Sequence, residues 1–491
     1  MKQIFSKIQS TSLRGKQTSS LRGRLIPSLR ERNDRSNLSV QNTSLRGKND
    51  RSNLFALCSR LAAVALFAIF TINASAQTLT QFINTALEKN YQIQILKNEE
   101  QIASNSNTMG NAGFLPSLGI DGTAAYSLNN TEQGFADGTT RSGSNAQNFN
   151  GSAQALIDYT LFDGFYVRAK RKQLGLLEEL GQVNSKFYIE QTVSDIVMAH
   201  SQLIYENQLL DNYKRSMQIS AYRLSIEKKR KEVGAGKGID HAQALVDYQS
   251  DSIRYLAQQN AILSLEIELN RILNNELEAP LTISEKEFDV NMLPSKDSLL
   301  ADVSGSNKQL EQQKLNELIA ETDLRMAKAD RYPTINLFAG YKYSETYAQV
   351  GFIQSNRNYG PTVGASISFN LYNGGKTNIT IKNSRVYAEN ATLSKQQINH
   401  NLDADVLKLY GQYVSILGRI TLAESNVGES QKVYAIAEEQ LKRGAINGYD
   451  FRLTQLTLLE SQLTLMQLQY TLKSIEINLN RIAGKVMDVY L

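Results

Sequence analysis

Two carboxylates stand out by position. Asp240 and Asp450 each lie six residues beyond a glycine, in segments reading Gly-Ala-Gly-Lys-Gly-Ile-Asp (234–240) and Gly-Ala-Ile-Asn-Gly-Tyr-Asp (444–450). Glycine suits a tight helix-to-helix reversal, where φ is positive and backbones approach closely. An aspartate after such a turn suits a helix N-cap, accepting backbone N–H groups for about 1 kcal/mol. Other candidates for chemistry fall away. His200, His241 and His400 are isolated on helical stretches without metal-ligand spacing, and no Cys/His or Ser/His/Asp arrangement accompanies them. Gly234-Ala235-Gly236 lacks the strand-to-helix setting of a phosphate loop. These residues imply no enzyme activity, metal or cofactor.

The elements that position the two carboxylates are duplicated. Leu-Phe-Asp-Gly at 161–164 corresponds to Leu-Tyr-Asn-Gly at 371–374, and Leu-Asn-Arg-Ile at 269–272 to the same four residues at 479–482. Both offsets are 210, as is that of the two glycine-to-aspartate segments. Such a constant spacing predicts rigid elements between the landmarks. Phe-Leu-Pro ending at Pro116 and Arg-Tyr-Pro ending at Pro333 differ by 217, which places the extra length in a loop between strands.

Residues 164–233 and 375–443 contain no proline and little glycine, so each predicts a helix of about 70 residues and about 105 Å. Ile196, Leu203, Leu209 and Leu210 recur at helical steps suited to coiled-coil packing. Shorter partner helices are predicted at 242–273 and 451–483, and before the prolines at 79–112 and 308–329. A long helix could then pair with two short ones set end to end. Residues 276–305, with Pro280 and Pro294, form an irregular linker or equatorial segment.

After each proline the period changes to two. Leu118, Ile120, Gly122, Ala124 and Tyr126 alternate with polar or small residues. So do Ala153 to Leu161, Ile335 to Tyr343, and Val363 to Leu371. Four stretches of roughly ten alternating residues match transmembrane β-strands. Asn-, Gly-, Ser- and Thr-rich residues 129–150 and 348–360 are expected to be the surface loops between them.

The front of the chain differs. Residues 1–53 repeat Ser-Leu-Arg-Gly three times and carry twelve Lys/Arg against three Asp/Glu, which fits a disordered leader or one outside the mature protein. Arg60, an apolar run over 61–72 and Asn-Ala-Ser-Ala ending at Ala76 make residues 54–76 a secretory signal. The only cysteine, Cys58, falls within it. Without residues 1–76 the chain has 40 Lys/Arg and 45 Asp/Glu, so the formal charge changes from +5 to −5 and nucleic-acid partners lose their support.

Four strands cannot close a membrane barrel, which needs about eight or more. An open edge in lipid leaves N–H and C=O groups unpaired, so other copies must complete the sheet. Two copies give eight strands and three give twelve, and strand count alone does not choose.

In its duplicated strand–strand–long-helix order, its turns (Phe162, Asp163, Gly164; Tyr372, Asn373, Gly374) and its glycine-to-aspartate tips, the chain over residues 77–491 resembles the TolC family of outer-membrane efflux and export proteins. The resemblance implies a mixed α and β membrane protein with two internal repeats, 77–275 and 306–491. It implies a homotrimeric twelve-stranded β-barrel, four strands per chain, continuous with a long coiled-coil α-helical periplasmic tunnel. Implied partners are outer-membrane lipid, a periplasmic adaptor (membrane fusion) protein and, indirectly, an inner-membrane pump of RND or ABC type. Implied function is passive exit through a tripartite export system, with small-molecule efflux foremost and type I protein secretion as the alternative. A periplasmic structural or adhesive coiled coil is the rival of another class.

Family members dock adaptors through a Val-Gly-x motif in each repeat. Val233, Gly234 and Ala235 match, while Arg443, Gly444 and Ala445 replace the valine. The family also lines its closed periplasmic aperture with the second-repeat aspartate, so Asp450, with Asp240 as its first-repeat counterpart, becomes the gate candidate. The family's second aspartate, three residues further on, is Leu453 here, which implies a weaker or single acidic ring.

Overall fold

The computed structural model describes residues 78–491, so the leader (1–53), the signal segment (54–76) and Gln77 lie outside the described residues. Three helices, α1 (Leu79–Lys89), α2 (Tyr91–Ser106) and α3 (Met109–Ala112), lead into the hairpin β1 (Ser117–Gly134) and β2 (Thr140–Phe162). The long helix α4 (Tyr166–Glu232) and its partner α5 (Gly238–Leu273) follow. After an irregular stretch come α6 (Lys296–Ser306), α7 (Lys308–Ala329), β3 (Thr334–Ala348) and β4 (Ser355–Ser368). The chain ends with α8 (Lys376–Lys442), α9 (Gly448–Ile482) and the short α10 (Val486–Tyr490). Both α4 and α8 are 67 residues long, about 100 Å at 1.5 Å per residue.

The sheet is antiparallel in the order β1-β2-β3-β4, with β1 and β4 at its edges. Residues directly opposite one another point to one face. Ile120, Ala155, Tyr341 and Pro361 form one such row, and Leu118, Ile157, Ala339 and Val363 another. On the opposite face Asp121, Gln154, Lys342 and Gly360 are aligned. Register thus gathers the apolar residues on one side, yet Leu118, Ile120, Tyr341 and Val363 are all exposed.

Two expected loops prove to be mostly strand. Residues 129–150 hold only the five-residue turn 135–139, and 348–360 only the turn 349–354. Their polar residues continue the ladders, with Gln133 opposite Arg141 and Thr346 opposite Asn356. A bulge between Asn129 and Thr131 absorbs the one irregularity between β1 and β2, where Asn145 has φ 54°. Composition alone could not separate a solvated hairpin from a loop. Conversely β4 stops at Ser368, short of Phe369 and Leu371, because its last partner is Thr334 and the preceding Pro333 has no N–H to extend the ladder.

Helix boundaries also shift. The stretch 79–112 is three helices, broken at Asn90 and again at residues 107–108. The linker 276–305 is not wholly irregular: Ser295 follows Pro294 and caps α6, its hydroxyl accepting from the Ser298 N–H at 3.4 Å.

End-to-end stacking has a specific cause. Asn90 accepts N–H groups from Gln92 and Ile93, capping α2, while its Nδ2 donates to the Ile272 carbonyl at the end of α5, 3.0 Å away. Asn307 does the same between α7 and α9. Its Oδ1 accepts from the Leu310 N–H at 2.8 Å and its Nδ2 donates to the Ile482 carbonyl at 2.8 Å. Each asparagine splints two helix ends that would otherwise leave polar groups unpaired. α4 consequently packs against α2 and α7 along one stretch and α5 along another, while α8 packs against α7 and α9.

Apolar cores surround these junctions. One contains Phe82, Ile83, Val193, Ile196, Leu269 and Ile477; another contains Leu299, Val303, Leu402, Val406, Leu472 and Leu479. Full burial of such side chains contributes about 1.5–3 kcal/mol each.

Candidate functional site

The two helix reversals have one backbone design. At the first, Val233 is the C-cap of α4 and Gly234 adopts φ +73°. The Ala235 N–H donates to the Arg230 carbonyl at 2.9 Å, and the Gly234 N–H to Lys231 at 3.1 Å. At the second, Arg443 caps α8, Gly444 has φ +73°, and the Ala445 and Gly444 N–H groups donate to Gln440 and Leu441 at 2.8 and 3.1 Å. This is the Schellman arrangement, which satisfies the last helical carbonyls and calls for a left-handed residue. A Cβ on either glycine would meet nothing within 4 Å, so positive φ alone explains them. Both tips lie at the same end of the helices: Arg223 near the end of α4 donates to the Gly448 carbonyl that starts α9, at 3.3 Å.

Asp240 and Asp450 are not N-caps. The caps are Lys237 and Asn447, and each aspartate sits in the first turn of α5 or α9. Both partner helices begin earlier than expected, α5 at Gly238 rather than 242 and α9 at Gly448 rather than 451. Asn447 Oδ1 accepts from the Asp450 N–H at 2.8 Å, a cap absent from the sequence reading. Asp240 and Asp450 remain exposed, with carboxylates near the positive ends of their helix dipoles.

The strand-to-helix turns are likewise paired. Phe162 closes β2, and Asp163 Oδ2 accepts from the Val167 N–H at 2.9 Å. Gly164 has φ +69°, and a Cβ there would lie 2.5 Å from the Ala329 carbonyl oxygen. In the second turn Tyr372 is exposed, Asn373 bonds the Thr377 hydroxyl at 2.9 Å, and Gly374 repeats φ +69°. Nothing within the chain approaches Gly374. Pro116 and Pro333 each immediately precede the first residue of a strand.

Comparison with known proteins agrees with the resemblance. Residues 299–485 match the outer membrane efflux protein family, a span reaching from α6 to the end of α9. Outer membrane protein TolC of Escherichia coli (strain K12) is 23% identical over 330 residues, covering 64% of each chain. In both respects the chain resembles the TolC family of outer-membrane efflux proteins. Among solved structures, Vibrio cholerae VceC superposes with TM-score 0.68 at 15% identity, over 83% of this chain and 96% of that one. The Campylobacter jejuni CmeC outer membrane channel does so with TM-score 0.70 at 13% identity, over 83% and 85%. These likenesses share the fold: long helices with a four-stranded sheet.

The chain also carries a buried polar network that the sequence reading missed. Just above the tips, Asp251 on α5 is 1% exposed and receives two hydrogen bonds from the Arg452 guanidinium of α9, at 2.7 and 2.8 Å. Ser216 and Ser220 of α4 donate to the same carboxylate. Gln455 donates to the Ser216 carbonyl at 3.2 Å, and Arg223 pairs with Asp247. Burial pushes the Asp251 carboxyl up, but the hydrogen bonds from Arg452, Ser220 and Ser216 outweigh it and hold it below the usual carboxylate value. The network joins three helices. Its signal lay in Ser216, Ser220, Arg223 and Glu227, polar residues at the three- and four-step spacing otherwise used for an apolar seam.

A second buried set anchors the irregular segment. Glu476 on α9 is fully buried and accepts from Lys473 at 3.0 Å, Tyr490 at 3.1 Å and the Asn291 N–H at 3.2 Å. Nearby, His200 contacts Glu285 at 3.3 Å. Burial draws its imidazole below the usual range, more than the Glu285 carboxylate raises it. Among the described residues no three His, Cys, Asp or Glu side chains are grouped to hold a metal, and no helix is long and apolar enough to cross a membrane.

Proposed function

We propose that this chain is the outer-membrane duct of a tripartite export system, giving passive exit to small molecules delivered by an inner-membrane pump through a periplasmic adaptor. The observation that carries this reading is the sheet: one exposed apolar face, one polar face, and two open edges. Edges of that kind are tolerated in lipid only if other copies pair with them. A homotrimer supplies twelve strands, lipid covers the apolar face, and the polar face lines the lumen. The alignment with TolC spans less than two thirds of that protein's length, and the tripartite role rests on the resemblance together with this geometry.

The helices support the same assembly. Ile379, Val386, Leu393, Leu407 and Val414 are exposed along α8 at seven-residue steps or multiples of seven. A stripe of that period is a coiled-coil seam without a partner inside the chain. α4 packs against both α2 and α7, whereas α8 packs against α6, α7 and α9 with no comparable packing against α2. The vacant flank fits α2 and the adjoining α3 of a neighbouring copy, where Ile95 and Ile102 on α2 and Met109 on α3 are exposed at the matching spacing. The open space beside Gly374, occupied by the Ala329 carbonyl at Gly164, fits the same neighbour. The equal lengths of α4 and α8 support two repeats, 77–275 and 306–491, joined by residues 276–305.

In this reading Val233, Gly234, Ala235, Arg443, Gly444 and Ala445 form the docking end, and Asp450, with Asp240, contributes to the aperture. Three Asp450 carboxylates around an axis would favour cations and hold a multivalent one. Planar-bilayer recording of the purified protein is the test. Single-channel current should be blocked by a multivalent cation, and Asp450→Ala should weaken that block. Absence of any conductance from a folded oligomer would overturn the duct, whereas unaltered block would remove Asp450 from the gate.

A further inference from the structure

The two tips share a backbone but differ in charge. Around the first stand Lys228, Lys229, Arg230, Lys231 and Lys237, with Glu232 the only acid among residues 228–237. The positions 210 residues further on carry Glu438, Glu439, Gln440, Leu441 and Asn447. At the second tip the charges neutralise one another, Lys442 bonding Glu438 and Glu439 at 3.2 and 3.3 Å and Arg443 lying 3.8 Å from Glu439. At the first tip Arg230 alone is paired, with Glu227 at 2.9 Å. Lys228, Lys229, Lys231 and Lys237 are exposed, and none has an acidic partner among the described residues.

Helix stability accounts for only part of this. Cations in the last turn of α4 do suit its negative end. Lys237 has the opposite setting: it is the N-cap of α5, where its side chain makes no cap hydrogen bond and its charge faces the positive end of the dipole. The equivalent Asn447 makes that bond. The first tip therefore forgoes a cap and concentrates unneutralised positive charge. Beside it opens a groove of about 220 Å³ between α4, α8 and α9, with Ile219, Tyr222, Ile226, Tyr434, Leu441 and Phe451 as its apolar lining and Arg215, Gln218, Glu438 and Lys442 as its polar lining.

We propose that the first tip, through Lys228, Lys229, Lys231, Lys237 and the adjacent apolar groove, docks an acidic protein segment that inserts an apolar side chain. Charge complementarity selects the partner's sign, and the groove selects a protein over a simple polyanion. The proposal rests on the reading of this end of the helices as the docking end, and it names the chemistry of the partner.

The probe is a synthetic helical peptide of glutamate with leucine at every seventh position, titrated by fluorescence anisotropy against the full-length protein in detergent. Binding should weaken as salt rises from about 0.05 M to about 0.5 M. Replacing all four lysines with glutamate should lower affinity by about tenfold or more. Lys237→Asn guards against misfolding, since it should bind the peptide less well while raising thermal stability by restoring the cap. Equal affinity of wild type and variants, or equal binding of a lysine-for-glutamate peptide, would overturn the proposal. So would lysine-dependent binding of phosphatidylglycerol vesicles without binding of the peptide, which would assign the patch to a lipid surface. Bilayer conductance of the wild-type protein separates the two readings: conductance without peptide binding leaves the duct standing and removes only the acidic partner.

Discussion

Asp251 shows how a single residue can hold the tips together. Its carboxylate is buried among α4, α5 and α9, so removing either it or Arg452 leaves the other charge buried and unpaired. Losses of about 3–5 kcal/mol are typical of such breaks. Arg452→Met or Asp251→Ala should therefore loosen the tip end specifically, seen as faster amide hydrogen exchange over the ends of α4, α5 and α9 with the β-sheet unaffected. Acid should do the same. Because the folded carboxyl lies below its ordinary 3.8, its stabilisation is complete above about pH 4 and fades as pH falls through the folded value. His200, also depressed by burial, has the same sign in a higher window, its contribution fading as pH falls below about 6.5. Exchange at the tip should thus respond as pH falls below about 4, and exchange around the irregular segment as it falls below about 6.5. At this scale the sequence was only half legible. Gly234 and Gly444 declared themselves, because only a reversal needs that spacing. Asp251 and Arg452 did not, because a polar residue on a long helix reads as solvent-facing until its neighbours in space are known.

At the scale of elements, the two asparagine splints explain why short helices can stack along one long one. Asn307 both caps α7 and satisfies the terminal carbonyl of α9. Asn307→Ala should cost about 1 kcal/mol for the cap and about 1–3 kcal/mol for the carbonyl left unpaired. Asn307→Asp keeps the acceptor but loses the Nδ2 donor, so it should recover only the cap portion; thermal or denaturant unfolding of the two variants separates these terms. If Asn307→Asp is as stable as the wild type, the bridge to Ile482 contributes nothing. The long helices were legible because 67 residues without a breaker leave few alternatives. The break at Asn90 was not, since asparagine is tolerated within helices and becomes a cap only when a second helix end meets it. Strand ends were obscured for a related reason: Asn, Ser and Thr serve equally in a loop and on the solvated part of a ladder, and pairing alone distinguishes them.

For the whole molecule, the decisive feature is what the chain leaves uncovered. α8 exposes Ile379, Val386, Leu393, Leu407 and Val414, and β1 and β4 expose unpaired edges. Interfaces whose two sides differ, here α8 with β4 on one side and α2 with β1 on the other, assemble head to tail and must close into a ring or continue as a filament. The number of copies follows from the angle between such sides, which lies beyond the reach of one chain's sequence; the need for copies does not. Placing aspartate at Val386, Leu407 and Val414 should spare the folding of each chain, because these side chains touch solvent within it. It should prevent assembly, because a charge in a coiled-coil seam must be desolvated without a partner. Light scattering of the purified protein should then fall from the mass of the assembly to that of one chain, with helix content unchanged by circular dichroism. A variant that still assembles would place the interface elsewhere, and α8 would need another occupant for its seam.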